Sequence, residues 1–304
     1  MTRRGWLLFV TLGIIWGVPY LFIKVAVTEL DPVVVAFGRT ALGATLLLPL
    51  ALRAGALRPL LPHWKPVLVY TGVEIVGPWV LLGHAETRIT SSATGLLIAT
   101  VPIMAAVMVT AIGDDRLNSQ RVLGLIMGFC GVAVLVGLDF RADDWHAVVQ
   151  VLIVVVGYAT GPIIISRRLA HLPPLGVVTG SLLIAALAYA PFATLACPAQ
   201  VSGRAAGSVL VLAVLCTAVA FLVMFALIAE AGPARMSLIT YLNPVVAVAL
   251  GALILSEPIT IGLLLGFPLI ILGSVLGTWH SRSVSRHHQH NSSETQVSAS
   301  RSLE

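Results

Sequence analysis

Ten apolar runs limit what this chain can become: residues 6–27, 32–52, 66–86, 91–112, 120–138, 147–166, 175–195, 207–229, 234–255 and 259–279. Each is about the twenty residues that a helix, rising about 1.5 Å per residue, needs to cross a hydrocarbon core of about 30 Å. In that core every backbone N–H and C=O has to be satisfied within the protein, which a helix does by itself. Composition agrees: 58% of residues are hydrophobic and 10% charged, with a mean hydropathy of +0.99, against about a quarter charged in soluble domains. The chain reads as an all-α integral membrane protein of ten transmembrane helices joined by short loops, with no water-soluble domain.

The runs form two sets of five in one register. Counting back 142 residues places Pro244 on Pro102, Glu257 on Asp115, Ile259 on Leu117, Gly266 on Gly124, Gly273 on Gly131, Pro191 on Pro49 and Pro174 on Pro32. The prolines and glycines carry that register, because they mark special backbone positions, whereas leucines and valines coincide in any two membrane helices. Residues 1–139 thus form one five-helix repeat and 140–280 a second. Five is odd, so the second repeat crosses the membrane in the opposite sense. Inverted repeats are a common construction of secondary transporters and place the substrate site near the bilayer midplane.

Cationic side chains set the orientation. With a cytoplasmic N-terminus, Arg3, Arg4, Arg53, Arg58, Lys65, Arg116, Arg121, Arg167, Arg168, Arg235, Arg282, Arg286 and Arg301 lie inside, against Arg88, Arg141 and Arg204 outside, the expected positive-inside asymmetry. Both termini are then cytoplasmic. The net charge of +5 belongs to loops facing anionic lipid, and nucleic acid is not an expected partner. The run after Arg3-Arg4 is too long for a signal peptide and shows no small-residue cleavage site before Lys24, so it is read as a retained helix. Cys130, Cys197 and Cys216 have no CxxC spacing and read as small core residues. Residues 281–304 turn polar and are expected to form a disordered cytoplasmic tail. Its His287, His288 and His290 lack the fixed surroundings that orient metal ligands, and no metal or cofactor is expected.

Ionisable side chains inside the runs are costly and tend to face a cavity or a partner. Glu74 lies about 12 Å into the third run from the cytoplasmic side, and Arg39 about 10 Å into the second from outside. A difference of about 8 Å is within reach of an arginine side chain, so depth allows an Arg39–Glu74 pair without requiring one. It would serve transport, through proton exchange or binding of a substrate carboxylate, or simply neutralise itself. Lys24 is expected to snorkel to water at the outer end.

Trp16, its repeat counterpart Tyr158, and Tyr20, Trp79 and Tyr241 sit within runs rather than at the interfacial depth usual for such residues. A ring of aromatics with a few polar groups suits a small amphipathic solute, although helix packing accounts for each one singly. Pro19, Pro78, Pro102, Pro162, Pro244 and Pro268 each remove a backbone hydrogen bond, and Asn243 can offer its amide to a cavity or to a neighbouring helix. The Gly124, Gly128, Gly131 series reads as close packing, in a homodimer face or an internal seam.

Trp16-Gly17 followed by Lys24, Pro32 and Arg39 in the second run, a Pro102 helix closing on an acidic loop, and Tyr241-Leu242-Asn243-Pro244 ending at Ser256-Glu257 together resemble the EamA-type branch of the drug/metabolite transporter superfamily, over residues 5–280. The resemblance implies a ten-helix carrier of the inner (cytoplasmic) membrane, usually an exporter of amino acids or related metabolites, working by alternating access without ATP. No GxxxxGK[ST] stands against this. Asp114-Asp115 occupies a place where the family often has Gly-Glu, and Glu74 with Gly77-Pro78-Trp79 lies outside its general pattern. The runs hold no nucleophile or metal constellation of an intramembrane enzyme. A non-transporting receptor or assembly protein is the alternative, though a duplicated, proline-kinked chain has no obvious use in a static scaffold. The expected carrier, proton-coupled or facilitative, has Trp16, Tyr20, Trp79, Tyr158 and Asn243 around its cavity and Glu74 with Arg39 as its polar centre.

Overall fold

A computed structural model describes residues 1–113, 119–232 and 236–278, which are helical with no strand among them. Ten helical segments follow the ten apolar runs: α1 Arg3–Ala26, α2 Pro32–Arg53, α3 Arg58–Arg88, α4 Ser91–Ala111, α5 Ser119–Asp139, α6 Trp145–Leu169, α7 Pro174–Ala196, α8 Gly203–Ala231, α9 Leu238–Ile254 and α10 Ile261–Gly277. The first eight are long and apolar enough to cross a membrane, and the last two are shorter. The expected tail at 281–304 and the Asp114-Asp115 loop lie outside the described residues.

Several breaks fall at prolines, which lack an N–H and clash with the carbonyl four residues back. Within α1 the helix stops at Gly17 and restarts at Pro19; within α4 it stops at Ile98 and restarts at Val101, ahead of Pro102. The start of α9 is a tight 3-10 turn, Ser237–Tyr241, which gives way to regular helix at Asn243–Ile254. Pro102 and Pro244 are repeat counterparts, so the two halves break alike. A second kind of distortion needs no proline at its start. Wide π-turns occupy Gly72–Val76 in α3, Ile165–Leu169 at the end of α6 and Val214–Val219 in α8, the first and last at matching repeat positions. A π-turn inserts one extra residue into the helix and often accompanies a functional site.

The helices pair according to the repeat. Counterparts pack on each other, α2 on α7, α4 on α9 and α5 on α10, while α1 packs on α8 and α3 on α6. Exchanging the two halves leaves this set of pairings unchanged. Along α5 and α10 the partners run in opposite directions: Gly124 abuts Gly277, Gly128 abuts Gly273, Gly131 abuts Ile270 and Leu135 abuts Gly266. The same sense holds for α4 and α9, where Ser92 abuts Gly251 and Gly95 abuts Ala247. The glycine series is therefore an internal seam between α5 and α10, with Gly128 also against Ile103 of α4. Dispersion across so close an approach is what holds helices together where lipid removes the hydrophobic drive.

A latch closes the end of α9 onto the start of α4. Glu257 accepts from the backbone N–H groups of Ser91 (2.8 Å) and Ser92 (3.0 Å) and from the Ser92 hydroxyl (2.5 Å). Ser256 adopts a left-handed backbone with φ of 55° to aim it, and Gly251 leaves room, since a Cβ there would strike Ser92 and Glu257. A carboxylate on exposed helical N–H groups is a charge-assisted cap that also complements the helix dipole. Glu257→Ala is expected to cost about 2 kcal/mol and to speed amide exchange at Ser91 and Ser92, with Glu257→Gln in between. Unchanged exchange in both variants would remove the latch from the account.

Candidate functional site

Arg39 of α2 is buried, and its placement explains the π-turn of α8. Its Nε donates to the Thr217 hydroxyl at 2.9 Å and its Nη2 to the Cys216 carbonyl at 3.5 Å. Thr217 donates its own proton to the Leu212 carbonyl five residues back, at 2.8 Å, which leaves its oxygen lone pairs for the guanidinium. The opposite face of that guanidinium lies 3.7 Å from the centre of the Trp79 ring. A cation desolvated over an indole is held by about 2 kcal/mol. Trp79 belongs to the core cluster against which Tyr158 packs.

Tyr20 and Tyr158 close the group. Tyr158 packs both with the Tyr20 core and with the Trp79 core, so α1, α3 and α6 meet at its ring. Tyr189 of α7 adds a third phenol, donating to the carbonyls of Ile75 (3.1 Å) and Val76 (2.8 Å) at the π-turn of α3. The two π-turns thus play matching parts: one offers carbonyls to a tyrosine and the other a hydroxyl and a carbonyl to an arginine. Tyr189 and Thr217 escaped the sequence reading, and Cys216 was read there only as a small core residue. Their signal was present in the repeat register, because Cys216 is the counterpart of Glu74.

Glu74 sits in the π-turn of α3 and faces α6. A Cβ at Gly161 would overlap its Oε2, and one at Gly157 would lie 2.5 Å from the Val73 carbonyl. These two glycines let the bulged turn approach. Glu74 Oε2 has no hydrogen-bond partner, and Tyr70 and Tyr158 are its polar neighbours. Arg39 and Glu74 do not pair. Arg39 turns towards Thr217, Cys216 and Trp79, while Glu74 turns towards the glycine face of α6. Lys24 does not snorkel either: its Nζ donates to the carbonyls of Glu86 (2.6 Å) and Ile89 (2.8 Å), a cation on the negative C-terminal end of α3.

Of the seven residues expected at the site, Tyr20, Arg39, Trp79 and Tyr158 come together, with Glu74 beside Tyr158. Trp16 stands apart, edge-on to Phe221 at 6.4 Å between α1 and α8. Asn243 is also separate. In the orientation that satisfies its amide, its nitrogen donates to the Ile239 carbonyl (3.1 Å) and the Gly13 carbonyl (3.0 Å), which ties α9 to α1. Tyr241 donates to the Ser274 carbonyl at 3.1 Å. The assembled group offers a planar cation ringed by phenols and an indole, chemistry suited to a carboxylate on an amphipathic body.

Comparison with known proteins adds an independent line. The model of the EamA-like transporter family matches residues 3–137 and again 145–279. The transporter YvbV of Bacillus subtilis is 28% identical over 92% of this chain and 93% of its own. YoaV of the same organism, also named a transporter, is 24% identical over 89% and 95%. The inner membrane transporter YedA of Escherichia coli is 29% identical over 79% of each chain. A solved crystal structure superposes with a TM-score of 0.65 at 20% identity, covering 91% of this chain and 97% of that one, a likeness of fold.

Proposed function

This chain belongs to the EamA-like transporter family, and from that premise we propose that it is a secondary carrier exporting small amphipathic metabolites, amino acids among them, by alternating access. Being a multi-pass membrane transporter, it is not an enzyme. The inner (cytoplasmic) membrane is its proposed location, in keeping with the name of the YedA relative. Two five-helix repeats, 1–139 and 140–280, cross in opposite senses as ten spans with both termini inside. The antiparallel packing of the counterparts α5 and α10 supports the inversion, and the twofold match of the family model supports the duplication.

The observation that carries the substrate reading is Arg39, a buried guanidinium held flat between Trp79 and the π-turn of α8. Its fork would take a substrate carboxylate. Glu74, with one oxygen unpartnered, would take an ammonium, and Tyr20, Trp79, Tyr158 and Trp16 would line the path of an apolar side chain. Asn243 would act on the site through α1 and α9. Broken helices and π-turns on either side of the group give the halves places to bend.

The test is flux of a panel of amino acids and small amphipathic metabolites in proteoliposomes of the purified protein, with and without a pH gradient. The expected outcome is saturable flux of a carboxylate-bearing solute, faster with the gradient, and at least tenfold slower in Glu74→Gln. Wild-type flux in the Glu74→Gln variant would remove that residue from the site, and no flux across the panel would put a receptor in place of a carrier.

A further inference from the structure

Glu86, near the C-terminal end of α3, is fully buried, and neither of its carboxylate oxygens has a hydrogen-bond partner. The charged and titratable groups that interact with it are Lys24 and Tyr20 from α1, Arg39 from α2, Tyr158 from α6 and Glu257 from the turn after α9. The three charged ones are engaged elsewhere. Lys24 caps the C-terminal carbonyls of α3, Glu257 caps the N-terminus of α4, and Arg39 is held by Thr217 and Trp79. Lys24 and Glu257 each meet the helix end of opposite polarity, and although the three together carry a net charge of +1, neither cation hydrogen-bonds to the Glu86 carboxylate. An ionised Glu86 would add a buried, unpaired charge, whose cost far exceeds that of a neutral acid with an unmet hydrogen bond.

We propose that Glu86 is a proton-binding site of the transport cycle. It holds a proton while the Glu257 latch keeps α4 against α9, and releases it when that end opens and the Lys24 ammonium and water reach the carboxyl group. Tyr20 packs with Tyr158 and interacts electrostatically with Glu86 and Arg39, which links the proton site to the candidate substrate site. The role in transport rests on the carrier reading above, whereas occupancy by a proton does not.

Infrared difference spectroscopy of the reconstituted full-length protein tests the occupancy. Wild-type protein at neutral pH is expected to show the carbonyl stretch of a buried carboxylic acid, with one such band lost in Glu86→Gln and retained in Glu74→Gln. An unchanged spectrum in Glu86→Gln would overturn the assignment, as would a band that moves when sodium replaces choline, since that would mark a metal cation. Should Glu86→Gln fail to fold, wild-type protein treated with a hydrophobic carbodiimide decides the matter: an adduct on Glu86 is expected, and an adduct on Glu74 alone overturns the proposal. Amide exchange tests the coupling. After correction for intrinsic rates, raising the pH should open Ser91 and Ser92 in wild type and leave them closed in Glu86→Gln. The same opening in both would retire the coupling while the carrier reading stands, and absence of flux with the band intact would retire only the carrier reading.

Discussion

Arg39→Lys lowers saturable flux at least tenfold although it keeps the charge. The guanidinium meets three partners at once: the Trp79 face at 3.7 Å, the Thr217 hydroxyl at 2.9 Å and the Cys216 carbonyl at 3.5 Å. An ammonium is a compact point charge and cannot lie flat on the ring while reaching the π-turn. The stacking alone is worth about 2 kcal/mol when desolvated, and each 1.4 kcal/mol or so is a factor of ten. Arg39→Ala is more severe, because it leaves the indole face and the π-turn unfilled as well as removing the cation. Thr217→Val, which deletes one acceptor, should lose less than Arg39→Lys. Flux in proteoliposomes, with folding checked by size-exclusion chromatography, ranks the three. A lysine variant within twofold of wild type would mean that charge alone suffices and that the stacked geometry is incidental.

Gly273→Val produces the largest loss of stability. A Cβ at Gly273 meets the backbone of Gly128 and lies 2.7 Å from the Gly124 carbonyl. Backbone cannot turn aside as a side chain can, so α5 and α10 have to separate along their length. Overpacking of this kind costs about 1–3 kcal/mol, and the dispersion lost along a dry seam adds to it. At about 2–4 °C per kcal/mol for a chain of this size, the melting temperature should fall by about 5–10 °C. Gly137→Ala on the partner helix α5 is the control, since nothing lies within 4 Å of its Cβ position and alanine favours the helix. Similar melting temperatures for both variants would show that the seam does not hold the repeats together.

Much of this architecture is written locally. Apolar runs of helical length need only hydropathy to be seen, and the 142-residue register locates the matched breaks at Pro102 and Pro244 because proline acts on its own backbone wherever it stands. The π-turns at 72–76 and 214–219 obey the same register, but only the first adjoins a breaking residue, Pro78. They exist because Arg39 and Tyr189, from other helices, take up what the widened turns offer.

What the sequence by itself determined is the class of structure, its duplication and the depth of each polar side chain, all of which follow from short-range periodicity and from the bilayer's demand that a helix satisfy its own backbone. Only the tertiary structure decided which groups face one another. Arg39 and Glu74 have compatible depths but diverge, because depth leaves rotation about the helix axis open, and the glycines of α6 draw Glu74 away from α8. The glycine series of α5 closes on α10 within the chain. Glu86 carries no signal in the sequence, and only packing shows its carboxylate sealed without a hydrogen-bond partner, a property that depends on residues distant in the chain.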